Sequence, residues 1–412
     1  MPVNNRWTSG QYSVYRILLG IYLLQHFLRL LPWGSELFSS KGVLEPASLS
    51  PLWHAFPNIF WLGDSPLFVG SVLTVGAVVS ACLLLGNWDR VSAIFLWYVW
   101  ACLYGRNPLI GNPSMPFIGW LLLAYGLTPV WPKASVPDGD EKAAKWILPG
   151  DLYRAAWIVM ALGYSYSGCT KLGSVSWIDG SALSRVLINP LARDTVFSVW
   201  LLDLPAWILK AATWSALALE LGFAPLALFR RARPWIWSAM VALHLGLMVL
   251  INFADLTTGM LLVHLFTFDP AWVRAPQAAG EIIFFDGNCG LCHGWVRWIL
   301  REDRSAHPFC FAPLQGELAQ KTFAPEARAQ LPDSIVVIDP RNRVSVKSDA
   351  VIYILKRLGG LWFVMALLLR ALPRSFRDAG YETVALVRRR IAGPTENLCP
   401  MVPKMWRAQF RP

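Results

Sequence analysis

Cys289 and Cys292, in the run Phe285-Asp286-Gly287-Asn288-Cys289-Gly290-Leu291-Cys292, are the residues of this chain best spaced for chemistry. An apolar strand pattern ends there in a tight turn, and a helix is predicted to open at the first cysteine. A thiol in that place meets the free backbone N–H groups and the positive end of the helix dipole, which favour thiolate over thiol. Cys289 therefore reads as the nucleophile. Cys292, three residues on and one turn inside, can reach the same sulfur and resolve a mixed disulfide. Asp286 beside them could tune the thiols or accept a proton, or it could simply cap the turn. Zinc ribbons share the Cys-x-x-Cys spacing but need a second ligand pair. The nearby candidates are His293, His307 and Cys310, and His293 is expected to point off another helix face, so no metal is expected. Two buried cysteines without chemistry are the bland alternative. The remaining cysteines lack a disulfide-scaffold spacing: Cys82 and Cys102 lie in apolar runs, and Cys399 reads as a tail cysteine.

A second set of chemical candidates lies inside apolar stretches, where ionisable side chains are costly and so mark function by default. They are Arg16, His26, Lys171, Glu220, His244, Asp255 and His264. Lys171 ends a helix in Tyr164-Ser165-Tyr166-Ser167-Gly168-Cys169-Thr170-Lys171-Leu172, with Trp177 and Gly180 following. A lysine held away from water can lose its proton and act as a base; snorkelling to headgroups is the alternative. Arg16 and Glu220 read as a structural ion pair across helices, with His244 as further support of a site in the membrane half.

The elements that must position these residues follow from composition. Hydrophobic residues make up 55% of the 412, charged residues 15%, and there are 22 tryptophans; the mean hydropathy is +0.42. This is membrane-protein texture, with indoles suited to bilayer interfaces. Apolar spans are predicted at 13–31, 65–86, 91–104, 114–131, 155–169, 205–229, 234–251 and 256–268, about eight crossings. No small-residue cleavage site follows the first, which reads as a retained helix. Trp33, Trp53, Phe56, Phe60 and Trp61 in the 32–64 connection are expected to lie flat at the interface. The net charge of +11 raises nucleic acid as a partner. The basic residues, however, fall in short loops and the tail without interleaved aromatics, so lipid headgroups are the expected partner and nucleic acid is excluded. One side collects Arg6, Arg90, Lys133, Lys142, Lys145, Arg154, Arg230, Arg231, Arg233 and Arg274; the other collects Lys41, Arg106, Lys171, Arg185 and Arg193. The richer side is expected to be cytoplasmic, which puts both termini inside a bacterial inner membrane.

Past residue 270 the texture changes. A linker at 271–280 leads to a soluble α/β pattern at 281–412: a strand at 281–285, a helix at 289–302, a strand at 308–312 and a helix at 317–330. Strands at 334–339 and 344–347 follow, then a helix at 349–358. The order β-α-β-α-β-β-α is that of a small thioredoxin-like domain. The apolar stretch 361–372 is too short to span and reads as a packed or interfacial helix.

Residues 281–410 resemble the DCC family of thiol-disulfide oxidoreductases. The likeness rests on Asp286-Gly287-Asn288-Cys289-Gly290-Leu291-Cys292, Asp303, Phe311-Ala312-Pro313-Leu314, Ser348-Asp349-Ala350, Pro373-Arg374-Ser375-Phe376-Arg377-Asp378 and Tyr381. The resemblance implies a thioredoxin-like fold and dithiol chemistry, with Pro332 near where such folds place a cis-proline. Residues 1–270 resemble the HTTM family, which shares its membrane domain with the vitamin K-dependent gamma-carboxylase. Tyr15 to Gly20, Gly168 to Leu172, Trp177 to Gly180, Glu220, His244 and Gly259-Met260 carry that likeness. It implies that Lys171 matches the carboxylase's proposed base. Asn112-Pro113-Ser114 stands where the carboxylase has Asn-His-Ser, and its large lumenal domain is absent, so glutamate carboxylation is not expected.

The function expected is a membrane-anchored thiol-disulfide oxidoreductase acting on a protein or small-thiol partner. Its dithiol needs no cofactor, and its membrane half is a candidate site for a quinone or another apolar ligand. On the expected topology Lys171 lies about 30 Å from the thiols across the bilayer core, which argues against direct coupling of the two sites. The alternative is a membrane maturation or export factor for a peptide or lipid, with the redox module in a regulatory role.

Overall fold

Each apolar run singled out in the first 270 residues folds as a helix. The computed structural model describes residues 7–44, 49, 56–129, 146–253, 255–276, 279–287, 289–329, 334–392 and 404–411. The longer helices are α1 (Ser9–Leu30), α2 (Pro66–Leu85), α3 (Asp89–Arg106) and α4 (Met115–Leu127). They are followed by α5 (Gly150–Lys171), α6 (Ala206–Ala227), α7 (Arg233–Leu250) and α8 (Leu256–Thr267). The start and stop of α2 show why the sequence folds there: the Ser65 hydroxyl accepts from Phe68 N–H, Pro66 occupies the first turn, and Gly86 closes the helix at φ 75°.

Among the described residues, three helical stretches are long and apolar enough to cross a membrane: Ser9–Phe38, Pro66–Leu85 and Arg233–Leu250. A fourth arises if Val196–Leu202 and Ala206–Ala227, bent by 109° at their break, form one span. The other runs give helices that are short, such as α4 and α8, or that carry charge at their ends, such as α3 and α5. Length and apolarity thus support three or four crossings, where about eight were expected. Phe60 also departs from expectation: it is buried and stacks on Phe38 at 6.5 Å, because the 3-10 turn Ile59–Trp61 turns it inward, while Trp33 and Trp61 are exposed. Trp53 lies outside the described residues.

By contacts the chain forms two units, one drawing on residues 13–129 and 149–268, the other on residues 7–12, 146–148 and 269–411. The second is a mixed α/β unit with β1 (Ile282–Phe285), α9 (Gly290–Glu302), β2 (Cys310–Pro313), α10 (Glu317–Thr322) and α11 (Pro325–Ala329). Next come β3 (Val336–Ile338), β4 (Val344–Val346), α12 (Lys347–Leu358), α13 (Gly360–Ala371) and α14 (Arg374–Ala392). The four strands lie in the order β2-β1-β3-β4, with β1 parallel to β2 and antiparallel to β3. The helix expected over 317–330 is two short ones, since Pro325 has no N–H to continue the first.

Alternation along β1 divides the core between the two faces of the sheet. Ile283 and Phe285 pack with Val296 and Ile299 of α9, Ile354 of α12 and Trp406, whereas Phe284 packs with Ala319 and Phe323. The outer edge of β2 is covered by the chain end, where Phe410 stacks on Phe311 at 5.5 Å and Arg411 N–H donates to Phe311 O at 2.8 Å.

Two distant segments complete this unit. Glu302, buried at the end of α9, accepts from the Thr8 hydroxyl, from Gly10 N–H at 2.9 Å and from Trp362 Nε1–H at 2.7 Å. Burial pushes its carboxyl up, and these donors partly offset that. Arg304 donates to Trp146 O, and the Trp146 ring packs on Tyr12.

Candidate active site

β1 runs straight into the thiols. Cys289 N–H donates to Asp286 O at 3.3 Å, and Cys289 takes the N-cap position of α9 with extended backbone (φ −111°, ψ 114°). Its side chain makes no capping hydrogen bond, so the sulfur sits at the helix start without being spent as a cap. Cys292 lies in the first turn. Neither cysteine is in a disulfide; both are buried, and they belong to the core cluster with Phe285 and Val296.

Gln315 holds the turn that presents them. Its Nε2 donates to Asp286 Oδ1 at 3.0 Å and its Oε1 accepts from Gly287 N–H at 3.0 Å. Asp286 is thereby tied to Gln315 beside the thiols. Gln315 itself follows Phe311-Ala312-Pro313-Leu314 directly, and that adjacency was the signal that could have singled it out. His293 does not point away as expected. Its Nε2–H donates to Gly287 O at 3.0 Å and its ring meets Phe285 edge-on. Burial pushes the imidazole below its usual value, while the Gly287 carbonyl acts against that. Among the described residues no three His, Cys, Asp or Glu side chains come together to hold a metal. Pro332 and Cys399 lie outside the described residues.

The late motif residues act as a staple. The Ser348 hydroxyl donates to Asp378 Oδ1, Arg377 Nη1 donates to Asp349 Oδ1 at 2.6 Å, and Arg374 reaches both acids at 3.3 and 3.4 Å. α14 is thus tied across α12, and Ile335 N–H donates to Tyr381 Oη at 2.9 Å. The staple borders an open cavity of about 390 Å³ whose wall includes Cys292, Trp295, Ile335, Val351 and Phe376. Nothing in the one-dimensional pattern announced that cavity. Asp303 is structural, its carboxylate accepting from Ser305 N–H and Phe309 N–H at 3.0 Å each.

The DCC1-like thiol-disulfide oxidoreductase family matches residues 283–394. A chloroplastic DCC family protein of Arabidopsis thaliana is 34% identical over 131 residues, which cover 31% of this chain and 76% of that protein. YuxK, an uncharacterized protein of Bacillus subtilis strain 168, is 31% identical over 144 residues, 34% of this chain and 100% of its own length. The chain belongs to the DCC family. Its DCC domain contains the thiols, the Gln315 clamp, the staple and the cavity described above. No solved structure matches the chain.

Outside the DCC domain, the helical unit brings its polar residues into pairs. Lys171 is bound by Glu220, with Oε1 at 2.5 Å, and by Ser167 Oγ at 3.0 Å; its ammonium lies 4.9 Å from the Trp177 ring centroid. The expected Arg16–Glu220 pair does not form. Glu220 is taken by Lys171, and Arg16 instead donates to the Leu83 and Leu84 carbonyls at the end of α2, at 3.0 Å each. This satisfies helix-end carbonyls that would otherwise lack partners. His244 Nε2 and His264 Nε2 each lie 2.7 Å from Tyr164 Oη. The hydroxyl has one proton, so it donates to one ring and accepts from the other. His26 pairs with Asp255, a partnership the sequence did not reveal.

Proposed function

We propose that the protein is a membrane-anchored thiol-disulfide oxidoreductase with Cys289 as nucleophile and Cys292 as resolving thiol. The observation that carries this is Cys289 at the N-cap of α9, with Cys292 in the same turn, inside the family-matched region. In the proposed cycle the Cys289 thiolate attacks a substrate disulfide, forming a mixed disulfide and releasing one thiolate, which takes up a proton. Cys292 then attacks Cys289 Sγ and releases the second thiol. The substrate is reduced by two electrons, and the enzyme is left as the Cys289–Cys292 disulfide. Asp286 serves as a positioning residue through Gln315. The element order and sheet order support a thioredoxin-like domain.

For the helical half, the HTTM-like residues and the long apolar helices support a multi-pass anchor; counting the bent pair Val196–Leu202 and Ala206–Ala227 as a fourth crossing gives an even number, which keeps both termini on one side, the cytoplasmic one by the Lys and Arg bias. The Lys171–Glu220 pair supports a site for an apolar carbonyl ligand such as a quinone. A carbonyl oxygen would have to take the place of one of the ammonium's present acceptors, Glu220 or Ser167, with the Trp177 indole beside it to lie against a ring. Mass spectrometry of detergent-purified protein tests this part, with a co-purified quinone expected and a bound peptide favouring the maturation-factor alternative. The dithiol assignment is tested on the full chain in detergent. Cys289→Ser is expected to abolish reduction of a disulfide substrate, and a wild-type rate in that variant would overturn it.

A further inference from the structure

The cavity beside Cys292 has features of a ligand site. At about 390 Å³ it falls in the range of small-molecule pockets, roughly 300–1,000 Å³. Its wall is formed by Trp295, Ile335, Val351, Leu372 and Phe376, side chains from α9, the segment before β3, α12 and the α13–α14 corner. Phe376 is 73% exposed and Leu372 is half exposed, so the apolar wall continues outward into an apolar mouth. The polar side chains in the wall are engaged within the protein: Arg377 is held by Asp349, Ser348 donates to Asp378, and Tyr381 accepts from Ile335 N–H.

This lining selects among thiol-disulfide partners. An extended polypeptide brings an amide N–H and a carbonyl at every residue, and each would lose its water against these side chains without replacement. A charged tripeptide disulfide would meet the same penalty. An alkyl group instead gains from burial, about 0.8 kcal/mol per methylene. The thiols themselves are buried, at 6% and 5% exposure, so a partner must bring its sulfur inward along such a wall.

We propose that the cavity beside Cys292 receives the apolar substituent of a low-molecular-weight disulfide, making such compounds the preferred partners of the dithiol. The proposal rests on the dithiol reading above and adds the substrate class. Cys289 Sγ bonds to one substrate sulfur while the substrate S–S bond breaks and the outer alkyl thiol leaves with a proton. The inner alkyl group occupies the cavity, and attack by Cys292 releases it as the second thiol, leaving the Cys289–Cys292 disulfide.

The test uses reduced full-length protein in detergent and two probes of equal size, dipropyl disulfide and bis(2-hydroxyethyl) disulfide, which differ by a methyl or hydroxyl at each end. The rate of dithiol oxidation is followed by thiol trapping and mass. Wild type is expected to react with the dipropyl compound at least about tenfold faster, the order expected from burying one such methyl against stripping one hydroxyl. Micelle partitioning is the same for all variants, so filling the cavity separates binding from partition. Val351→Phe, and independently Gly380→Leu, are expected to lower the dipropyl rate at least tenfold and leave the hydroxyethyl rate within twofold. Gly380 has open space around a built Cβ, so its variant fills the cavity from the other wall without a backbone clash. Equal rates for the two probes, dipropyl rates unmoved by both variants, or faster oxidation by the disulfides of a polypeptide such as insulin would each overturn the proposal while leaving the dithiol reading intact. Failure of wild type to react with any of them would overturn both.

Discussion

Arg357→Ala should open the strand that presents the thiols. Arg357 and Glu281 are each 2% exposed and joined at 2.6 Å, with Tyr353 Oη donating to the other carboxylate oxygen at 2.5 Å. Arg357 also donates to His307 O at 2.5 Å, so one side chain ties the start of β1 to the loop before β2. Truncation leaves a buried carboxylate with only a phenol, a change that costs about 3–5 kcal/mol. That is a large share of a total stability of roughly 5–15 kcal/mol. At about 1.4 kcal/mol per tenfold, amide hydrogen exchange of β1 and β3 in the full chain should quicken by two to three orders of magnitude. Since β1 leads into the Cys289 turn, alkylation of Cys289 should quicken with it. The double variant Glu281→Leu with Arg357→Met removes both charges, so it should cost less than Arg357→Ala alone. Protection lowered by less than fivefold in Arg357→Ala, or a double variant as damaging as the sum of the singles, would refute the reasoning.

Three further outcomes follow from particular contacts. Gly359 sits at φ 74° between α12 and α13, where a built Cβ would come within 3.0 Å of Ala275 Cβ; Gly359→Ala should cost about 1–2 kcal/mol and appear as faster exchange at that junction. The Ser348 hydroxyl is the main cause holding the Asp378 carboxyl below its usual range. A depressed acid contributes stability above its unfolded value near 4 that is lost as pH falls through the lower folded value. Proteolysis of α14 should therefore rise as the solution is taken from pH 5 towards 3, and Ser348→Ala should begin that rise at higher pH. In the helical unit, a Cβ on Gly168 would lie 2.8 Å from Leu221 N, so Gly168→Val must push α5 from α6. Amine labelling of Lys171 should then increase as Glu220 is drawn away, whereas unchanged labelling would count against that close approach.

The sequence determined what local pattern can determine. The long apolar runs became helices, the short apolar run at 282–285 became a strand, and Cys289 fell at a helix start because turn residues precede it and a helix pattern follows it. It misjudged elements where a neighbour outweighed the local signal. Glu220 chose Lys171 over Arg16, and His293 folded back onto Gly287. It was silent on groups that meet only after folding. Glu302 finds Thr8 and Gly10 from the other end of the chain, and Ser348 and Asp349 find Asp378 and Arg377 on a helix some thirty residues later. The cavity beside Cys292 exists because that staple lays α14 across α12. Its apolar residues come from five separate stretches, each of which reads alone as ordinary core. Local pattern fixes which residues can be thiols at a helix start; what those thiols face depends on side chains brought together by long-range ion pairs and packing, which no window of sequence contains.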